Sequence, residues 1–383
     1  MDIHLSQEEY FRYSRHLMLP EVGLAGQKKL KSASVLIAGT GGLGSPIALY
    51  LTAAGVGRIG LVDYDTVEVS NLQRQIIHST NTIGVEKVES ARERLFDLNP
   101  HVQVEMHRAV LNSSNIFDIA GDYDVLVDGS DNLATRYLLN DFAVLNKKTY
   151  IYGSIYRFEG QVSVFDSRIG PCYRCLFPSP PPPEMMPTCS DTGVLGVLPG
   201  IIGTIEANET IKVLLGAGEP LVGRLLLFDA LEMRFTEIHL RKNPACPICG
   251  ETASIHELID YEQFCGAPYR RAENKPSQEF DLLPGELHAR ISNGERITLL
   301  DVRDPVESQV SVLPDAINIP LERLTARLEE IPDDHLVVVY CRTGARSLQA
   351  AALLRQAGFL MVKQLQGGIN AWARQIDLDM KQY

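Results

Sequence analysis

The sequence predicts an α/β protein in two parts. A doubly wound unit with a parallel sheet spans residues 1–250, a linker 251–278, and a smaller α/β unit 279–383. Three observations carry this. Strand-like apolar segments alternate with helical segments from Ser34 onward, the pattern of parallel strands joined by crossover helices. After Cys249 the pattern fades into a polar stretch with two prolines, Gly266 to Gln278, of linker composition, and it resumes near Phe280. A length of 383 residues, at roughly 150 per domain, suggests two or three domains.

In chain order, SVLIAG (34–39) reads as a strand, SPIALYLTAAGV (45–56) as a helix and RIGLVDYD (58–65) as a strand. VEKVESARERLFDLN (85–99) is an amphipathic helix. VQVEMHRAV (102–110) and YDVLVDGSD (123–131) are strands, RYLLNDFAVLN (136–146) is a helix and TYIYGSIY (149–156) a strand. The proline run beginning Pro178-Ser-Pro-Pro-Pro-Pro183 cannot join a sheet or helix interior, so it is expected as an exposed, extended loop. In the second unit ITLLDVRD and HLVVVYC are strands, SLQAAALLRQAGF a helix and KQLQGG a turn.

Composition narrows the function. Acidic residues outnumber basic ones 48 to 36, a net charge of −12 that opposes binding to nucleic acid or an anionic membrane. No apolar run approaches the roughly 20 residues of a membrane span, and the charged N-terminus is unlike a secretory signal. Seven cysteines are too few for a disulfide scaffold in a chain this long, and two CxxC pairs point to metal in a reducing compartment. A cytoplasmic protein is expected.

The strand VLIAG runs into Gly39-Thr-Gly41-Gly42-Leu-Gly44 and then a helix. Glycines there let the backbone approach a phosphate seated on unpaired helix N–H groups. Asp63, 19 residues after Gly44, stands where an acid can bond a ribose hydroxyl, which completes a Rossmann-like dinucleotide fingerprint. Taken alone, this fits a nicotinamide or flavin enzyme equally well. The residues that follow favour ATP: Ser70-Asn71-Leu72-Gln73-Arg74 and Lys87 supply cations and donors that a triphosphate needs and hydride transfer does not. Asp131 and Asn132, at the end of strand VLVDG, lie where open sheets bind ligands, and an aspartate there can hold Mg2+.

Two CxxC pairs, Cys172/Cys175 and Cys246/Cys249, offer four thiolates for a closed, structural Zn2+ site, with a redox disulfide the rival for either pair alone. Cys189 follows the proline run among polar residues, and Cys265 is in no motif. Cys341 ends a strand in Cys341-Arg342-Thr-Gly-Ala-Arg346-Ser347 ahead of a helix. Backbone N–H groups, Arg342, Arg346 and the helix N-terminus should favour its thiolate and a persulfide. A phosphatase loop is the alternative, although it normally places the arginine farther from the cysteine.

Residues 5–250 resemble the MoeB/ThiF family, relatives of the ubiquitin-activating enzymes, on RYSR (12–15), GTGGLG (39–44), LVDYD (61–65), SNLQRQ (70–75), GVEK (84–87), GSDN (129–132), RFEGQ (157–161) and the four knuckle cysteines. The resemblance implies adenylation of the C-terminal glycine of a ubiquitin-like sulfur carrier protein ending in Gly–Gly. Gly42 and Asp63 would hold the adenosine end, Asn71, Arg74 and Lys87 the phosphates, and Asp131 the metal and the reacting phosphate. Arg15 would come from the partner subunit of a homodimer, and Cys189 would be an acyl or disulfide acceptor. LLDVRDPVE (299–307), PDAINIP (314–320) and LQGGINAW (365–372) resemble a single rhodanese domain over 279–378, and they decide against the phosphatase. One departure is Val312-Leu-Pro-Asp315, where that family commonly has His-Ile-Pro-Gly. The fused arrangement is similar to the MoeZ group. It implies sulfur loading of the carrier from a Cys341 persulfide that is charged by a donor such as a cysteine desulfurase or thiosulfate. Molybdopterin, thiamine, cysteine and siderophore synthesis, or tRNA thiolation, are the pathways left open.

Overall fold

Ser34–Ala38 is buried along its whole length and forms β1, in the interior of the first sheet. A strand covered on both faces carries a continuous apolar run, and here it does. The structure is a computed structural model that describes residues 3–181, 193–265 and 281–381. It divides into two units, Met1–Arg270 and Arg271–Tyr383.

In the first unit β2 (Arg58–Val62), β3 (Gln103–His107), β4 (Val125–Asp128) and β5 (Thr149–Tyr156) form a parallel sheet with β1 in the order β3-β2-β1-β4-β5. That is the expected doubly wound half. The sheet then continues antiparallel through β6 (Glu159–Phe165), β7 (Arg224–Asp229) and β8 (Arg234–His239), which the alternation of strands and helices does not foretell. Helices Gly44–Ala54 and Leu198–Leu215 pack on one face around Ile37, Ile47, Leu51 and Ile202. Their backbones meet at Gly203, where a Cβ would strike the Leu43 carbonyl and Pro46. Helix Leu133–Leu145 covers the other face with Tyr137, Leu138 and Phe142.

Residues 251–265, read from sequence as the start of the linker, belong to this packed unit. Helix Tyr261–Phe264 lies on Leu133–Leu145, and Tyr261 donates from its hydroxyl to Asp141 at 2.9 Å. Three apolar anchors, Tyr261, Phe264 and Cys265, sit in a segment whose average composition is polar. Residues 182–192 with Cys189, and 266–280, lie outside the described residues.

The second unit is a parallel sheet in the order β11-β10-β12-β13-β9, built from β9 (Asp281–Leu282), β10 (Ile297–Asp301), β11 (Ile317–Asn318), β12 (Leu336–Tyr340) and β13 (Val362–Leu365). The segment read as a turn, KQLQGG, is β13 running into helix Gly368–Gln375. Helices Pro284–Ser292 and Gly368–Gln375 cover one face through Leu287, Ile369 and Trp372, and Ala345–Gln356 covers the other through Ala350 and Leu354. Asp315 takes φ +57°, a left-handed conformation that glycine adopts more readily. Among the described residues no helix is long and apolar enough to cross a membrane.

Candidate active sites and metal centre

The glycine loop leaves β1 through Gly39 at φ +97°, where a Cβ would meet the Gly129 carbonyl at the end of β4. A Cβ on Gly44 would collide with the Gly39 carbonyl, so this turn closes only with glycine at both places. Asp63 reaches over from β2. Its Oδ2 accepts the Thr40 N–H at 2.8 Å and the Thr40 hydroxyl at 2.9 Å, which holds the loop to the strand tip. Gly42 faces Pro199 and the stem of Arg74, and a Cβ there would lie 3.1 Å from one and 3.7 Å from the other. Arg74 donates to the Ser70 carbonyl at 3.1 Å, and Gln73 packs on Gly196. Lys87 opens helix Lys87–Leu98 and pairs with Asp65 at 2.9 Å; its side chain is 7% exposed against 49% for the aspartate.

Sequence reasoning placed Gly42, Asp63, Arg74 and Lys87 in one site, and the fold brings them to the C-terminal ends of β1 and β2. Ser70 and Asn71 lie in a short 3-10 turn beside Leu72, and the Asn71 Oδ1 accepts the Glu68 N–H at 3.2 Å. Asp131 is exposed past β4. Asn132 is the N-cap of helix Leu133–Leu145, its Oδ1 accepting the Thr135 N–H at 2.8 Å. Arg15 is exposed with its guanidinium near Met18 Sδ, and it bonds none of the other nucleotide-site residues among those described.

Three buried groups behind this site went unread in the sequence. His78 sits between Ser90 Oγ (3.0 Å) and the Thr40 carbonyl (3.1 Å), and burial lowers its pKa to about 4. The ring is therefore neutral near pH 7, and its Nε2–H donates to the loop carbonyl. Asp128 accepts from the Ser130 N–H (2.9 Å), the Ser130 hydroxyl (2.6 Å) and the Tyr150 hydroxyl (2.7 Å), with Arg136 at 3.6 Å. Burial still raises its pKa. A charged residue ending the apolar run VLVD was the available signal. Glu206 is buried over Gly153 with no hydrogen-bond partner for either carboxylate oxygen among the described residues; burial, then the Asp128 charge, raises its pKa well above the usual range.

The four knuckle cysteines converge although some 70 residues separate the pairs. All four Sγ atoms lie within 4.8 Å of one another, with Cys172–Cys175 at 3.9 Å, Cys172–Cys246 at 3.6 Å and Cys175–Cys249 at 3.4 Å. Tetrahedral zinc with Zn–S of about 2.3 Å would space its sulfurs by about 3.8 Å, so this donor set fits the ion. All four are unbridged, against the redox-disulfide reading. Arg174, inside the first knuckle, forms a buried bidentate pair with Asp141 (2.8 and 2.7 Å), the residue that also receives the Tyr261 hydroxyl. Cys265 is buried, and burial pushes its thiol up to about 11, which removes it from thiolate chemistry near neutral pH.

In the second unit Cys341 follows β12 and is 1% exposed. The Gly344 N–H, at φ +111°, points at its Sγ from 3.1 Å, and the Ser347 hydroxyl lies 3.6 Å away. The loop is seated on Gly367-Gly368. Ile369 N–H donates to the Cys341 carbonyl at 2.9 Å, and a Cβ on Gly368 would strike that carbonyl. Arg342 is half-buried on the loop. Arg346, expected to serve the sulfur, instead holds Glu307 through two bonds of 2.6 and 2.7 Å.

Comparison with known proteins matches a family to each of the two units. The model of the ThiF family matches residues 13–248, and that of the rhodanese-like domain matches 283–375. A protein of Mycobacterium tuberculosis named "Probable adenylyltransferase/sulfurtransferase MoeZ" is 47% identical over 99% of this chain and 96% of its own length. The adenylyltransferase and sulfurtransferase MOCS3 of Culex quinquefasciatus is 43% identical over 99% and 90% respectively. Among solved structures, E. coli MccB with ATP aligns at a TM-score of 0.53 and 21% identity, covering 64% of this chain and 82% of that one, a likeness of fold. The chain belongs to the ThiF family and carries a rhodanese-like domain: it is an adenylyltransferase and sulfurtransferase of the MoeZ/MOCS3 type.

Proposed function

We propose that the first unit uses ATP to adenylate the C-terminal glycine of a ubiquitin-like sulfur carrier, and that Cys341 delivers sulfur to the activated carboxyl. The observation that carries this is the gathering of Arg74 and Lys87 beside the glycine loop, in a chain that also holds a cysteine cradled by backbone N–H. The carrier carboxylate attacks the α-phosphorus and pyrophosphate leaves. A carboxylate is already ionised at neutral pH, so the protein supplies positioning and positive charge with no general base. Arg74, Lys87, Asn71 and the Ser70–Gln73 turn bind the phosphates, and Asp63 holds the adenosine end. Asp131, with Asn132 beside it at the start of the helix, would hold Mg2+, which would supply positive charge against the leaving pyrophosphate. Arg15 completes the site of the second copy in a homodimer. The four cysteines hold Zn2+ as a structural cross-link.

Sulfur transfer then runs in three exchanges. The Cys341 thiolate takes sulfane sulfur from a donor, a cysteine desulfurase or thiosulfate, and becomes a persulfide. The terminal sulfur attacks the acyl-adenylate, AMP leaves, and an acyl disulfide joins carrier to Cys341. A thiolate, for which Cys189 is the candidate, attacks the Cys341 sulfur, so that a disulfide forms and the carrier departs as a thiocarboxylate. A cellular reductant resets the pair.

Pyrophosphate exchange and thiocarboxylate formation, measured by mass spectrometry with Gly–Gly-ended carriers, test this reading. Cys341→Ser should retain exchange and lose thiocarboxylate, because a hydroxyl cannot carry sulfane sulfur. Thiocarboxylate formed by Cys341→Ser at the wild-type rate, or exchange indifferent to the carrier, would refute the scheme.

A further inference from the structure

Strands β10 and β12 are parallel neighbours with Asp301 opposite Tyr340, so the loops leaving their C-terminal ends emerge at the same edge of the sheet. One is the Cys341 loop. The other, residues 302–310, carries Glu307, and a set of hydrogen bonds holds it in place. A fully buried pair anchors that loop: Arg303 donates to Asp301 at 2.8 and 2.6 Å and to the Ser311 carbonyl at 2.8 Å. Asn318 ties the Asp301 and Arg303 carbonyls together. The Glu307 Oε2 also accepts the Asp304 N–H at 2.9 Å. From this base Glu307 grips Arg346, with the side chains 16% and 17% exposed. A two-pronged guanidinium–carboxylate pair spends two donors and cancels the charge.

We infer that Glu307 determines donor specificity: by holding Arg346 it withholds that positive charge from the sulfur donor, so the Cys341 loop disfavours small dianions. This rests on the reading that Cys341 accepts sulfane sulfur. In that step the Cys341 thiolate attacks the outer sulfur of the donor, a new S–S bond forms, and the old one breaks with its electron pair on the leaving group. Thiosulfate expels sulfite, a dianion. A persulfide or thiosulfonate expels a leaving group of single charge and needs less cationic help. Arg342 remains on the loop in either case, so the second charge is what Glu307 controls.

The test compares thiosulfate with methanethiosulfonate, a monoanion of similar size, in sulfur transfer to cyanide by the full chain. Glu307→Gln should lower the KM for thiosulfate about tenfold and move that for methanethiosulfonate no more than about twofold. Inhibition by sulfite should tighten in parallel, a binding readout apart from turnover. Glu307→Asp keeps the charge and should keep the wild-type preference. A thiosulfate KM that is unchanged or raised, or equal changes for both donors, overturns the inference. So does loss of all transfer in a folded Glu307→Gln protein. If instead Cys341→Ser transfers sulfur at the wild-type rate, it is the persulfide reading that fails.

Discussion

The glycine loop after β1 and the cysteine loop after β12 both leave a parallel strand and enter a helix, at Gly44 and at Ala345. The first contains no charged side chain, and its cations arrive from elsewhere in the chain, Arg74 and Lys87. The second packs Cys341 and two arginines into seven residues. Each loop nonetheless has a cation held by a carboxylate, and these pairs differ. Asp65, half exposed, pairs with a buried Lys87, and on the proposed reading a nucleotide phosphate would displace it. Glu307 is shielded and pinned by its own backbone. The acid of the resting ion pair is thus open to solvent in one unit and shielded in the other.

The sharpest way to break this comparison is at Lys87. Lys87→Ala should cut carrier-dependent pyrophosphate exchange at least about a hundredfold, because a phosphate counter-charge is lost from a shielded site. Thiosulfate:cyanide sulfur transfer should survive, and equal loss of both activities in a folded protein would show that the sites are not separate. Asp65→Asn, which frees the lysine, should at most tighten ATP a few-fold.

The next effect concerns stability. Cys172→Ser removes one of four clustered thiolates and should lower zinc content and the unfolding temperature of the first unit by about 10 °C, several kcal/mol. Calorimetry with metal analysis would read both, and the transition of the second unit should stay in place. A metal-free variant of unchanged melting temperature would refute a structural zinc.

The smallest effects come from pH. His78 titrates near 4 when folded and about 6.5 when unfolded, so the unfolded chain binds more protons between these values. Its contribution is complete above about pH 6.5 and fades as pH falls to about 4, a loss of about 3 kcal/mol. Glu206 has the opposite sign. Its folded pKa is raised, so the folded chain holds the extra proton and stability declines as pH rises above about 4.5. Denaturant titrations across pH should show His78→Gln flattening the acid side and Glu206→Gln relieving the alkaline side. An unaltered pH profile in either variant would show that its group does not titrate as its burial implies.

Several parts of this protein were legible before any fold was known. Gly39 and Gly44 mark a turn that other residues would block, the two CxxC pairs mark cysteines whose four Sγ atoms converge, and the Cys341 motif marks a loop between a strand end and a helix. Each signal lies within a few residues, so local backbone geometry and chemistry suffice to express it. Other features escaped for one reason: they join residues far apart in the chain. Glu307 reaches Arg346 across 39 positions, Tyr261 reaches Asp141 across 120, and His78 meets the Thr40 carbonyl across 38. Which strands lie side by side decides such meetings, and the antiparallel continuation of β6–β8 shows that element type alone leaves strand order open. The sequence by itself determined the turn geometry of both loops and the two cysteine knuckles, because backbone freedom and side-chain identity are properties of neighbouring residues. Only the tertiary structure decided which cations are free to meet a ligand and which are already held, because a carboxylate's reach and shielding depend on everything packed around it.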